Sequence, residues 1–218
     1  MPIAPIEHPL SLSDLAYDQV RSSLLRGEFP AGQTMSVVKL SNALNMSRSP
    51  VAAAVARLVS EGLLIQNPNG SAAVRTLEKQ ELLAALQVRA NLEGLAAELA
   101  CSLMTSADLQ ELSDSHNQFK ASVESDDPHA ARLADLRFHQ LIQQSCGNTI
   151  LDEHLSRLQA QVLLTTYTES WEVSGRPALA EHAAILDALH HGRSADAARL
   201  AREHILATRS RVGRTWHT

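Results

Sequence analysis

Aromatic side chains are nearly missing from this chain: two Trp, two Tyr and three Phe make up 3% of it. Such scarcity argues against a β-sandwich. Cysteine is rarer still. Cys101 and Cys146 stand at no ligand-like spacing, so two free thiols are expected. The opening MPIAPIEHPL lacks a basic segment followed by an apolar one, and no uninterrupted apolar run approaches membrane-spanning length. The expectation is a cytoplasmic chain with no membrane partner. Low-complexity segments and internal repeats are also lacking. A basic excess is missing as well, with a net charge of -5, so the distribution of charge matters more than its sum. Residues 1–76 hold six basic residues (Arg21, Arg26, Lys39, Arg48, Arg57, Arg75) against five acids, a net +1, which leaves -6 for the rest.

What the chain does have is length and helix formers. Its 218 residues suffice for two domains with separate cores. Alanine and leucine dominate from about Glu78 onward, a composition suited to close-packed helices.

The stretch Leu40 to Leu64, LSNALNMSRSPVAAAVARLVSEGLL, reads as two short helices joined by a tight turn. Ser36 is positioned to cap the first, which carries Val37, Leu40 and Leu44 along one side, with Asn45 and Met46 as the turn. Ser47 is positioned to cap the second, which starts at Arg48 and has Pro50 in its first turn. Val51, Val55, Leu58 and Val59 repeat toward a core, leaving Arg48, Ser49, Ala52, Ala53 and Ala56 outward. Leu63–Gln66 and Ala72–Thr76 read as strands around the turn formers Asn67, Pro68, Asn69 and Gly70, giving a small β-hairpin wing. A preceding helix is expected over Ser13 to Arg26, with Leu15, Val20, Leu24 and Leu25 apolar and Gly27 ending it.

No Gly or Ser linker follows Thr76, so the expected division is 1–76 and 77–218. Beyond it, six helical segments are expected: 78–104, 106–125, 128–145, 148–171, 176–191 and 194–213. Ser106 and Asp126 are cap candidates, Pro128 sits in a first turn, Gly147 and Gly192 end helices, and Ser174–Pro177 break the fifth from the fourth. An antiparallel six-helix bundle follows. The fold class is mainly α, a winged helix-turn-helix followed by that bundle.

Asp135 and His139 in ADLRFHQLI are four residues apart and share a helical face, as a metal clamp or as a surface hydrogen bond. His182 and His204 each lie on a later helix among Ile185, Leu186, Leu189, Ile205 and Leu206, as metal ligands or as satisfied core histidines. Together the four would form a nitrogen and oxygen shell acceptable to zinc first, or to nickel, manganese or iron.

SRSPVAAAVARLVSEGLL, preceded by LSNALNM and GEFPAGQTM, resembles the winged helix-turn-helix of GntR-type bacterial transcription regulators. Ala52 and Ala53 depart from that pattern, standing where the family usually has arginine and glutamate. DLRFH, SCGNTIL and EHAAILDALHHGRSADAARLAREHILATRSR resemble the FCD ligand domain of the FadR and VanR branch. The resemblance implies a divalent metal on Asp135, His139, His182 and His204 at the floor of an effector pocket. It also matches Arg89 and Glu93 to a family pair, with Arg89 available to a small carboxylate effector; an intrahelical Arg89–Glu93 pair is the alternative. Asn148 is expected to cap a helix, and His116, His129, His154, His190 and His191 to lie on the surface.

The expected function is an effector-responsive transcription regulator, a repressor in its likeliest sense, working as a homodimer on a palindromic DNA operator. Effector binding would change the distance or angle between the two DNA-binding parts. DNA contacts are expected from Arg48, Ser49, Arg57, Asn69 and Gly70. A metal sensor is the alternative. A metal-dependent hydrolase is disfavoured, because no nucleophile or base motif accompanies the ligands.

Overall fold

A computed structural model describes residues 11–166 and 171–215. The chain divides into two compact units, Met1–Thr76 and Leu77–Thr218.

In the first unit, α1 (Leu12–Leu25) packs on α3 (Arg48–Ser60), and α2 (Val37–Ala43) also packs on α3. Val20, Leu24, Leu40, Val51, Val55 and Leu58 meet in the core, as their helical spacing requires. Asn45 takes φ 50 in the turn between α2 and α3, a conformation that asparagine tolerates better than most residues. Ser36 and Ser47 occupy the N-cap positions but make no side-chain cap bond. The start of α1 also differs from the expected one. Ser11 and Asp14 form a reciprocal capping box, so α1 begins at Leu12 rather than Ser13. Leu15 is 42% exposed and does not join the core as expected.

The wing comprises β2 (Leu64–Gln66) and β3 (Ala72–Val74), antiparallel, with Leu64 opposite Val74. β1 (Thr34–Met35) adds a third strand on the other edge of β3, with Thr34 opposite Ala73. Two residues are too few to show a period, so this strand was invisible to pattern reading. Its presence makes β3 central, and all three of its residues are buried.

The second unit contains α4 (Lys79–Ala100), α5 (Ser106–Glu124), α6 (Pro128–Gln144), α7 (Thr149–Thr166), α8 (Trp171–His190) and α9 (Ser194–Thr215). α4 lies along α9 and also meets α7, while α5 packs on α6 and α8. The main core gathers Ala96, Leu112, Phe138, Ile142, Leu155 and Ile185. Among the described residues, no helix is long and apolar enough to cross a membrane.

Three expected helix limits are corrected. Thr105, not Ser106, caps α5, because Asp108 three residues on completes a capping box with it. Asp127, not Asp126, caps α6; Asp126 takes φ 55 just before it. α8 also runs through the expected break at 174–177, with Pro177 inside it. The proline lies in the second turn, where its missing amide costs one hydrogen bond, while buried Ala178, His182, Ile185 and Leu189 hold the rest of the helix in place. Residues 167–170, which the fourth expected segment included, lie outside the described residues. Asn148 does cap α7, its Oδ1 accepting from the Leu151 amide at 3.0 Å.

Gly94 on α4 allows a close approach to α9: a Cβ there would lie 2.9 Å from the Ala198 carbonyl oxygen. At Gly213 a Cβ would meet only Leu83 Cδ2, at 3.7 Å. Alanine favours a helix over glycine by about 1 kcal/mol. Gly94→Ala should nevertheless lower the melting temperature, whereas Gly213→Ala should hold or raise it. Equal gains at both positions in thermal unfolding would contradict the close approach.

Candidate metal centre and nucleic-acid interface

On α3, Arg48, Ser49, Ala52, Ala53 and Ala56 are all exposed, the outward face expected from the sequence. Only Arg48 on that face carries a charge. Arg57 is differently engaged. Its guanidinium carbon lies 3.7 Å from the Tyr17 ring centroid, Nη1 is 3.4 Å from Asp14 Oδ1, and Nε donates to Glu61 Oε1 at 3.2 Å. Glu61 also accepts from the Tyr17 hydroxyl at 2.6 Å. Burial and that carboxylate push the Tyr17 phenol up to about 12. Arg57 therefore braces α1 against α3 while its side chain remains half-exposed. At the wing tip, Asn69 Oδ1 accepts from the Ser71 amide and hydroxyl at 3.1 and 2.7 Å. Gly70 takes φ 82 with open space around it.

In the second unit, Asp135, His139, His182 and His204 come together from α6, α8 and α9. One ligand atom of each lies within 4.8 Å of all the others. Their helical spacing explains half of this, since Asp135 and His139 stand one turn apart on α6. The Nε2 atoms of His139 and His204 are 3.2 Å apart, and Asp135 Oδ1 lies 3.5 Å from His182 Nε2 and 4.0 Å from His139 Nε2. Donors roughly 2.0–2.2 Å from a common ion fall at such separations after a small contraction.

Protonation strengthens the fit. Glu181 Oε2 is 2.6 Å from His204 Nδ1, and Glu93 Oε2 is 3.4 Å from His139 Nδ1. Burial alone would raise both carboxyls. Arg211 and His204 hold Glu181 at about 2, and His139 and Arg89 hold Glu93 at about 2. With Nδ1 donating to each carboxylate, the two Nε2 atoms face each other as acceptors, an arrangement that calls for a cation, proton or metal, between them. His182 is wholly buried, and neither ring nitrogen has a hydrogen-bond partner among the described residues. Its ring stacks on Phe138 at 4.2 Å. Burial and the neighbouring imidazoles push it well below its ordinary value, toward the neutral form that ligates metals. Burial likewise lowers His204, against the pull of Glu181.

Beside these ligands lies a cavity of about 90 Å³, lined by Arg89, Arg132, Asp135, His139, Gln159 and His204 along with Val162, Leu163, Ile205 and Val212. Arg89 is 6% exposed and Glu93 1%; Arg89 Nε donates to Glu93 Oε1 at 2.9 Å. The pair is intrahelical, but it is buried in the cavity wall rather than spread on a solvated face.

Sequence reading missed several neighbours. Arg132 lies three and seven residues before Asp135 and His139, on the same face of α6, so its spacing was a usable signal. It is buried and donates to the Thr166 carbonyl at 3.1 Å. Glu181 adjoins His182 in sequence yet serves His204, while Arg211 grips Glu181 through both Nη atoms at 2.7 and 2.9 Å. Gln159 interrupts the buried row Leu155, Val162 and Leu163 on α7. His116, expected on the surface, is half-buried, and burial lowers its pKa. His129, His154, His190 and His191 are exposed.

Comparison with known proteins places two family models on the chain: "Bacterial regulatory proteins, gntR family" at residues 12–74 and "FCD domain" at residues 84–207. A probable D-xylose utilization operon transcriptional repressor of Paenarthrobacter nicotinovorans is 25% identical over 190 residues, 87% of this chain and 84% of that protein. The galactonate operon transcriptional repressor of Escherichia coli (strain K12) is 31% identical over 128 residues, 57% of this chain and 54% of that one. Among solved structures, E. coli McbR/YncC superposes with a TM-score of 0.82 at 23% identity, covering 91% of this chain and 95% of that chain, a likeness of fold.

Removing one member of a buried ion pair strands the other. Glu93→Leu should destabilise the protein by about 3–5 kcal/mol in chemical denaturation, and Arg89→Met with Glu93→Leu should recover much of that loss. A single variant as stable as the parent would show that the pair bears no buried charge.

Proposed function

The chain belongs to the gntR family of bacterial regulatory proteins and carries an FCD domain, and on that basis we propose that this DNA-binding transcription regulator senses a small organic acid at a metal-floored cavity. It is a regulator and not an enzyme, as its relatives are. The 77–218 unit is the sensor in this reading, and the 1–76 unit reads the operator. The observation that carries it is the convergence of four ligand atoms from three helices beside a cavity lined by three of those residues, Asp135, His139 and His204, and by Arg89.

Asp135, His139, His182 and His204 would hold the ion; zinc suits three imidazoles and a carboxylate best, with nickel, manganese or iron as further occupants. When bound, it supplies a Lewis-acidic anchor for one ligand oxygen. Arg89 offers its fork to the carboxylate, and Val162, Leu163, Ile205 and Val212 exclude water from the remainder. The cavity distinguishes this reading from that of a metal sensor, which needs no room beside the ion.

Repression is the proposed sense, as with the two relatives named as operon repressors. Two copies would bind a palindromic operator, which doubles the few phosphate contacts that one copy can make. Val88, Leu95 and Ile150, exposed along α4 and α7, give an apolar face for the second copy. On α3, base reading would fall on Arg48 and Ser49, with Arg57 on phosphate and Asn69 and Gly70 at the wing.

Titrating small carboxylates into the operator complex of metal-loaded protein should change operator affinity by roughly 5–150-fold for at least one acid. Arg89→Lys, which keeps a cation beside Glu93 but loses the guanidinium fork, should weaken the response and spare operator binding, while Arg48→Ala should weaken operator binding about 5–150-fold, as a lost base contact does. If no acid shifts the affinity, the sensing reading fails.

A further inference from the structure

Glu93 accepts hydrogen bonds from more than Arg89 and His139. Gln143, wholly buried on α6, donates Nε2 to Glu93 Oε1 at 3.1 Å and to Gln159 Oε1 at 3.4 Å. A carboxylate accepts only, so this contact fixes the Gln143 amide with its nitrogen toward Glu93. That nitrogen in turn fixes Gln159, whose oxygen is turned to Gln143. The remaining Gln159 atom, Nε2, is buried with no acceptor among the described residues, on a side chain that is 3% exposed and lines the cavity. Arg89 Nη2 is in a similar state: it lies 2.9 Å from Glu93 Oε1 without making a hydrogen bond to it. Two buried donors in one cavity wall thus await acceptors, one on a cation and one on a neutral amide.

We infer that Gln159 is a specificity residue: its Nε2 donates to an uncharged oxygen, hydroxyl or carbonyl, that the acid carries in addition to the carboxylate taken by Arg89. This rests on the acid-sensing reading of the cavity and narrows it to hydroxy and oxo acids. A neutral amide gains less from a second full charge than an arginine does, but it loses a hydrogen bond outright to a ligand that has only methylenes there. A cavity of about 90 Å³ restricts the class to small members. Glu93 thereby sets three groups at once: a metal ligand through His139, the cation of Arg89 and, through Gln143, the amide of Gln159.

Calorimetric titration of the full-length, zinc-loaded protein tests this with acids that differ by one oxygen: butyrate against 2-hydroxybutyrate, 3-hydroxybutyrate and 2-oxobutyrate, and succinate against malate. At least one oxygenated acid should bind about tenfold tighter than its parent, the effect of one satisfied hydrogen bond in a buried site. Gln159→Met, close in volume, should erase that ratio while zinc content and melting temperature hold. Should it not fold, Gln159→Asn, which retracts the amide by one methylene, should lower the ratio. If the wild type binds parent and oxygenated acids equally and Arg89→Lys, which keeps a cation beside Glu93, weakens both, the acid site stands and the role of Gln159 is overturned. An unchanged ratio in Gln159→Met overturns it as well. If the zinc-loaded wild type binds none of the acids, the sensing reading falls and this inference falls with it.

Discussion

The second unit is organised around one buried carboxylate. Glu93 is 1% exposed, and an ion taken that far from water is tolerated only when charge and hydrogen bonds replace its hydration. Arg89 from its own helix, and His139 and Gln143 from α6, do so at 2.9, 3.4 and 3.1 Å. Satisfying Glu93 forces consequences on each donor. His139 must present Nε2 to the ligand cluster, Arg89 must lie in the cavity wall, and Gln143 must turn its amide so that Gln159 follows. Glu181 repeats the device at smaller scale, held by Arg211 and orienting His204. Two anchored imidazoles and one unanchored imidazole, His182, then face Asp135. Carboxylates behind histidines are a general means of fixing tautomer and ligand basicity.

The two units use cations in different ways. In the second, Arg89 and Arg211 are buried and matched by Glu93 and Glu181, carboxylates that define polar geometry. In the first, Arg57 is spent on Tyr17, Asp14 and Glu61, a brace between helices, and the exposed face of α3 is left with Arg48 among alanines. On the proposed DNA-reading role, a face of this composition would read few base edges directly, leaving operator preference more to DNA shape while phosphate contacts supply affinity.

The sequence made the helices legible where periodicity was long and caps were explicit. α3, with Arg48 at its start and Pro50 in its first turn, and α6, with Pro128 at its start, are examples. The Asp135–His139 pair was legible for the same reason, as two residues one turn apart on a single helix. What escaped has a physical basis. β1 is two residues long and exists through its partner β3. Pro177 reads locally as a breaker, because local rules do not see the buried row that follows it. The brace made by Arg57 is not legible locally, because Tyr17 and Asp14 lie 40 or more residues earlier in the chain and Glu61 faces it from a helix end. Gln159 was an interruption in an apolar row, and its meaning depends on Gln143 and Glu93 from two other helices, a registration that one sequence does not encode locally.

On the proposed reading, three imidazoles and one carboxylate would hold a single ion. X-ray absorption at the metal edge of the zinc-loaded protein counts those ligands directly. Three histidine nitrogens and at least one oxygen near 2.0–2.2 Å, typical zinc distances, are expected, with one imidazole fewer in His182→Ala. A shell with one histidine or none in the wild type, or a wild-type spectrum unchanged in His182→Ala, would contradict it.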